Sequence, residues 1–175
     1  MDDKKLFRVI ITAIVVKDKK YLVLQRAGWE KRWPLRWTVP GGKISTEDYT
    51  QRPKDAGEWW YNVLESTLRR EVKEEAGIKI KNIRYVTSLA DAPEDNYPTI
   101  VISCLSDWSG GKIKFDHSMV DFKWVNLKEA KKIDLIEGIY DELVMAEQVR
   151  QGKTIGEIKI SKSRPKKHNK RNKIS

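Results

Sequence analysis

Arg70-Glu71-Val72-Lys73-Glu74-Glu75-Ala76-Gly77-Ile78 places three carboxylates within five residues. On a helix, steps of three and four bring side chains to one face. Glu71, Glu74 and Glu75 would then form an acidic patch about one turn tall. Like charges at that spacing repel by a few tenths of a kcal/mol per exposed pair, roughly. A hard cation among them would remove the repulsion, and carboxylate oxygens suit Mg²⁺ or Mn²⁺. Acids paired with lysines on a solvated face are the plainer reading of the same residues. Gly77 ends the helix, because glycine takes the left-handed cap conformation without strain.

Working upstream, Trp37-Thr38-Val39-Pro40-Gly41-Gly42-Lys43-Ile44 contains a Pro-Gly-Gly break where backbone can approach a ligand closely. Residues 45–57 have no clear period and contain Pro53, so they read as an inserted loop. A helix is expected from Glu58 or Trp59, with Val63, Leu64, Thr67, Leu68 and Val72 as its apolar stripe.

Together the two stretches resemble the Nudix hydrolase family, whose signature reads G-x5-E-x7-R-E-U-x-E-E-x-G-U with U apolar. Its second half is matched at Arg70, Glu71, Val72, Glu74, Glu75, Gly77 and Ile78. The first half departs in spacing. Counting six from Gly42 gives Asp48, and counting eight back from Arg70 gives Asn62; neither is Glu. Gly57-Glu58 has the family's Gly-Glu form but lies too far upstream, so Glu58 reaches the metals only if an extra turn loops out. Glu65 falls on another face of the helix and reads as a surface acid.

The resemblance spans roughly residues 7–150 and implies an α/β fold of α+β type, an α/β/α sandwich with a mixed sheet. It implies Mg²⁺-dependent cleavage of the pyrophosphate bond in a nucleoside diphosphate linked to another group, with Mn²⁺ as the alternative ion. Glu71, Glu74 and Glu75 would be the metal ligands, with a backbone carbonyl at Gly41 or Gly42 and with Glu58 as a further candidate. Arg70 would hold the acids in position. Glu71, Asp116 of the Asp116-His117 step, and the loop acids Asp91, Glu94 and Asp95 are the candidates for general base. Arg26, Trp29, Trp33 and Lys43 are the candidate substrate contacts. Among Trp29, Trp33, Trp59 and Trp60, one can stack on a base, since every base has a π-face; the alternative is that they pack the insertion onto the domain. The broken first half of the signature also leaves open a Nudix-fold binding module without catalysis.

Outside these motifs, Phe7–Val16 and Tyr21–Gln25 read as a hairpin, and Ala27–Arg36 as a loop. Lys81–Leu89, Pro98–Asp107, Lys112–Phe115 and Phe122–Leu127 read as further strands. Ile136, Ile139, Tyr140, Leu143, Val144 and Val149 mark a closing amphipathic helix. Most links between strands are too short for parallel crossovers. The residues alone therefore indicate a mixed sheet covered by helices.

The 175 residues fit one domain over 1–160 carrying the insertion. Net charge is +10, and eight basic residues with no acid lie between Lys159 and the end. Residues 161–175 thus read as a basic tail, disordered alone, that can contact RNA phosphates or simply aid solubility, and with it removal of a cap or diphosphate from an RNA 5′ end is the alternative activity. No apolar run approaches the 18 or more residues of a membrane span. The N-terminus lacks a secretory layout, and Cys104 is the single cysteine, set in an apolar run. Those features point to the cytoplasm. No P-loop, zinc-type Cys/His cluster or G-x-S-x-G elbow occurs.

Overall fold

A computed structural model describes residues 6–92 and 97–160. The tail at 161–175 and the acids Glu94 and Asp95 lie outside the described residues.

Strand β1 (Arg8–Lys17) alternates its side chains between two cores. Ile11, Ala13 and Val15 face one layer, while Ile14 and Val16 face the other. Asp18 and Lys19 turn the chain with positive φ into β2 (Lys20–Arg26). β3 (Trp37–Thr38) pairs with β2, and β4 (Gly41–Lys43) pairs with β1. The chain thus switches partner strands at Val39-Pro40, and the break anticipated at Gly41-Gly42 is a short strand. α1 (Glu47–Thr50) lies within the segment expected to be a featureless loop. It is one turn long, too short to show a period.

The central helix α2 spans Val63–Ala76, starting later than anticipated. Asn62 sits in the left-handed conformation at φ 54°, and Ala56 and Trp59 close a small bridge just before it. Those conformations hold residues 56–62 out of the helix, which begins where its apolar stripe does, at Val63. Thr67, Leu68, Val72 and Ala76 are buried against β1 and β5 (Lys79–Asp91). Gly77 stops the helix at φ 71°, its N–H donating to Lys73 O.

β6 (Thr99–Gly110) runs parallel to β1, whereas β7 (Met119–Val125) is antiparallel to β2. The result is a seven-stranded mixed sheet in the order β3-β2-β1-β6-β5, with β4 on β1 and β7 on β2. Lys112–Phe115, anticipated as a strand, pairs with none among the described residues. Opposite α2, the other face is covered by α3 (Leu127–Ala130) and α4 (Ile139–Arg150). Asn126 opens α3 with a capping box formed with Glu129. The layers are therefore α/β/α. Among the described residues no helix is long and apolar enough to cross a membrane. Cys104 is buried, and burial pushes its thiol up to about 11.

Candidate active site

The site forms where β4 meets the C-terminal half of α2. Gly41 N–H donates to Glu75 Oε2 at 2.9 Å. At Gly42, an added Cβ would lie 2.2 Å from Glu71 Cδ, so only glycine permits this approach. The three glutamates are not one patch. Glu75 is largely enclosed, Glu71 is half-buried, and Glu74 is exposed.

Arg70 is the hub that holds them. Its Nη2 bonds Glu71 Oε1 at 2.8 Å and its Nη1 bonds Glu74 Oε2 at 2.8 Å. Its Nε bonds Asp48 Oδ1 at 2.7 Å. Three charge-assisted bonds fix a guanidinium fork far more firmly than one. They also hold Arg70 charged against the cost of burial.

Asp48, at 5% side-chain exposure, is the residue that sequence reasoning missed. It sits at the position counted from Gly42, but lies 22 residues from Arg70 instead of the pattern's eight. Burial would raise its pKa; the bonds from Arg70 and from the Ser45 amide outweigh that and hold it low. The intervening residues leave α1, form the bridge at Ala56 and Trp59, and return at Val63. The forward count from Gly42 was the available signal. Glu58 is not brought to the acids: it is 82% exposed, pairs with Lys54, and precedes α2 by five residues.

Burial pushes Glu75 up to about 8, helped by the charges of Glu71 and Asp116, while the Gly41 amide and Arg26 oppose the shift. Glu71 is raised as well, by burial first, with Arg70 opposing. Asp116 and Arg26 are therefore close enough to Glu75 to act on its charge. Asp116 itself accepts from Ser118 N and Oγ at 2.8 and 2.6 Å.

Arg26 pairs with Glu30 at 2.6 Å and bonds Arg32 O at 2.9 Å, bracing the 27–36 loop. On that loop Trp29 is 70% exposed and donates to His117 O at 3.1 Å, tying it to the Asp116 turn. Trp33 is also exposed, with Arg32 stacked 4.4 Å from its ring centroid. Trp60 instead packs on Tyr49, 5.3 Å between centroids, and donates to Arg52 O, which closes the insertion on itself. Trp59 is exposed, and Lys43 lies exposed at the end of β4. Asp91 is exposed at the end of β5.

The donors at the site are carboxylate oxygens, the kind hard cations take. The side-chain-free surface at Gly42 leaves room directly against Glu71. A cation there would offset the desolvation and mutual repulsion of Glu71 and Glu75. These residues fit such an ion in kind. In the conformation described, Arg70 bridges Glu71 and Glu74, and among the described residues no three acids converge at ligating separation.

The sequence matches the NUDIX domain family over residues 6–145. The chain therefore belongs to the Nudix hydrolase family. Proteins it is similar to are named as hydrolases. An NAD-capped RNA hydrolase NudC from Vibrio atlanticus is 33% identical over 98 residues, covering 50% of this chain and 35% of that protein. Another from Erwinia tasmaniensis is 39% identical over 62 residues, covering 35% of this chain and 23% of that protein. These matches span about a third or less of those relatives. Among solved structures, the MutT protein from Methanosarcina mazei superposes with a TM-score of 0.62 at 18% identity, covering 84% of this chain and 97% of that one. The Nudix domain of Shewanella oneidensis NrtR complexed with ADP ribose gives 0.56 at 21%, covering 83% and 86%. At such identities the likeness is one of fold.

Proposed function

We propose that the chain hydrolyses the pyrophosphate bond of a nucleoside diphosphate linked to a second group, with Mg²⁺ or Mn²⁺ held by Glu71, Glu74, Glu75 and backbone at Gly42. The observation that carries this reading is the contact of Gly41 and Gly42 with Glu75 and Glu71. A bound divalent ion supplies charge neutralisation for the phosphoryl oxygens and lowers the pKa of water. Arg70, anchored by Asp48, orients Glu71 and keeps Oε2 free of its bond. That oxygen is the candidate acceptor of the attacking water's proton, with Asp116 as the second candidate base. Arg26 and Lys43 supply positive charge for phosphate, and exposed Trp29 and Trp33 offer faces on which a base can stack. Residues 1–160 act as the catalytic domain, with 161–175 as a basic appendage. We assign the chain to the cytoplasm, where its one buried thiol has no need of a disulfide partner.

The test is release of phosphate or nucleotide from a panel of nucleoside diphosphate derivatives with Mg²⁺. Glu74→Gln with Glu75→Gln should abolish it while the fold survives by circular dichroism. Activity retained in that double variant would count against the metal role of these acids, and no turnover of any substrate by the wild type would leave a binding module without catalysis.

A second reading, hydrolysis of a 5′-terminal diphosphate linkage on RNA, is favoured by two observations. The curated relatives above are named as NAD-capped RNA hydrolases, and the chain's excess positive charge is concentrated in its last residues.

A further inference from the structure

Four lysines from three separate segments meet at the C-terminal end of α2. Lys112 O and Lys114 N lie 2.9 Å from where a Cβ on Gly77 would stand, and Lys114 N donates to Ala76 O at 3.1 Å. Lys73 Nζ donates to Gly77 O at 3.1 Å. Lys79 follows Gly77 by two residues and pairs with Gly110, at the start of the same 111–118 segment. All four side chains are exposed. The sequence Lys112-Ile113-Lys114-Phe115 alternates, and Ile113 and Phe115 pack into the core beneath α2. That leaves Lys112 and Lys114 pointing outward. Lys73 is accounted for by the helix's terminal carbonyls, whose partial negative charge favours a cation. Lys79, Lys112 and Lys114 have no such account: among the described residues none pairs with an acid. Glu74, one turn away, is already bonded to Arg70. From Lys114 the segment runs on to Asp116, within electrostatic reach of Glu75.

We infer that Lys73, Lys79, Lys112 and Lys114 form a phosphate-binding ridge that holds the nucleotides of a single-stranded RNA next to the scissile diphosphate. The inference rests on the RNA reading above and adds a surface to it. Unpaired lysines clustered beside a catalytic edge release counterions when they meet a polyanion, and the gain grows with the number of phosphates engaged. A mononucleotide ends before reaching the ridge and gains nothing from it. No aromatic side chain belongs to the ridge, so the contact is with backbone and is indifferent to sequence.

The test is anisotropy of a fluorescent 12-nucleotide RNA on the full chain, wild type against Lys112→Ala/Lys114→Ala, from 50 to 300 mM salt. Lys128→Ala/Lys132→Ala, on α3 and just after it beyond the opposite face of the sheet, removes equal charge as a control. The ridge variant should bind on the order of tenfold more weakly, with its log–log salt slope smaller by about 1.4, two contacts at about 0.7 each. Its hydrolysis of a small nucleotide should equal the wild type's. No RNA binding by the wild type, an unchanged affinity and slope in the ridge variant, or an equal loss in the control each overturn the ridge. Binding is read without turnover, so an inactive wild type would refute the proposed hydrolysis and leave the ridge's own result standing.

Discussion

Gly42→Ala isolates the geometry on which the proposed chemistry depends. A Cβ built on Gly42 stands 2.2, 2.3 and 2.4 Å from Glu71 Cδ, Oε1 and Oε2. Ordinary carbon contacts lie near 3.5 Å, so the carboxylate must retreat by about 1 Å. Gly42 is absent from the positive-φ glycines, so alanine meets no backbone strain there. The cost falls on Glu71, which either leaves the β4 edge or breaks its 2.8 Å bond to Arg70. A misplacement of about 1 Å at a reacting centre costs on the order of 100-fold, or about 2.7 kcal/mol of transition-state stabilisation. The assay is kcat/KM for a nucleoside diphosphate derivative at saturating Mg²⁺, alongside thermal unfolding. The expected result is a fall of about 100-fold in kcat/KM with Tm within a few degrees of the wild type. Activity within threefold of the wild type would refute the claim that Glu71 works against this backbone surface.

Three further outcomes are expected. Asp48→Asn should lower kcat about tenfold with little change in KM, because Arg70 loses the charge that anchors it; Glu58→Gln, at an exposed pair with Lys54, should leave both constants unchanged, and steady-state kinetics on the two variants check this. Trp29→Ala should raise KM about tenfold, roughly the 1–3 kcal/mol a stacked base contributes, with circular dichroism unchanged; an unaltered KM would assign Trp29 to the loop alone. Glu142, 4% exposed on α4, is pushed up to about 7 by burial, with Ser103 opposing and Asp141 adding to the shift. The folded chain therefore keeps a proton that the unfolded chain releases above its ordinary 4.5. Stability is lost as pH rises from there through about 7, and Glu142→Gln should flatten that decline in urea midpoints measured across pH 4.5–8.

The acid-bearing helix was legible in sequence because its motif is contiguous and its cap is a glycine. The first hairpin was legible for the same reason: local chemistry decides it, whereas the pairing of Gly41–Lys43 with β1 is a tertiary contact that the expected Pro-Gly-Gly turn did not reveal. Asp48 was not, since its partner lies 22 positions along the chain and only the folded insertion brings the two together. Glu58 mimicked the expected acid because a Gly-Glu step carries no information about which way the loop turns. The onset of α2 lies later than the expected Glu58 or Trp59: the apolar stripe begins only at Val63, and the left-handed conformation of Asn62 just before it is not written in any local motif. Lys112–Phe115 alternates as a strand does, but its Lys114 N–H donates to Ala76 O at the end of α2 and not to a strand; its alternation serves packing on one side and charge on the other.

The placement of Asp48 ahead of the extra residues uncouples chain length from catalytic geometry. Residues 51–62 leave and rejoin the domain between two fixed posts; Arg52 closes their base through Tyr61 O and Trp60, and Ala56 and Trp59 close a turn at their tip. The tip of the segment, at Gly57, where a Cβ would meet nothing within 4 Å, can take added residues, whereas its base, where Trp60 packs on Tyr49 of α1, stays in place to hold Asp48 against Arg70. A recognition loop or affinity handle spliced between Lys54 and Trp59 would ride beside the reaction centre, giving an engineer a port at which new cargo is presented to an unaltered blade.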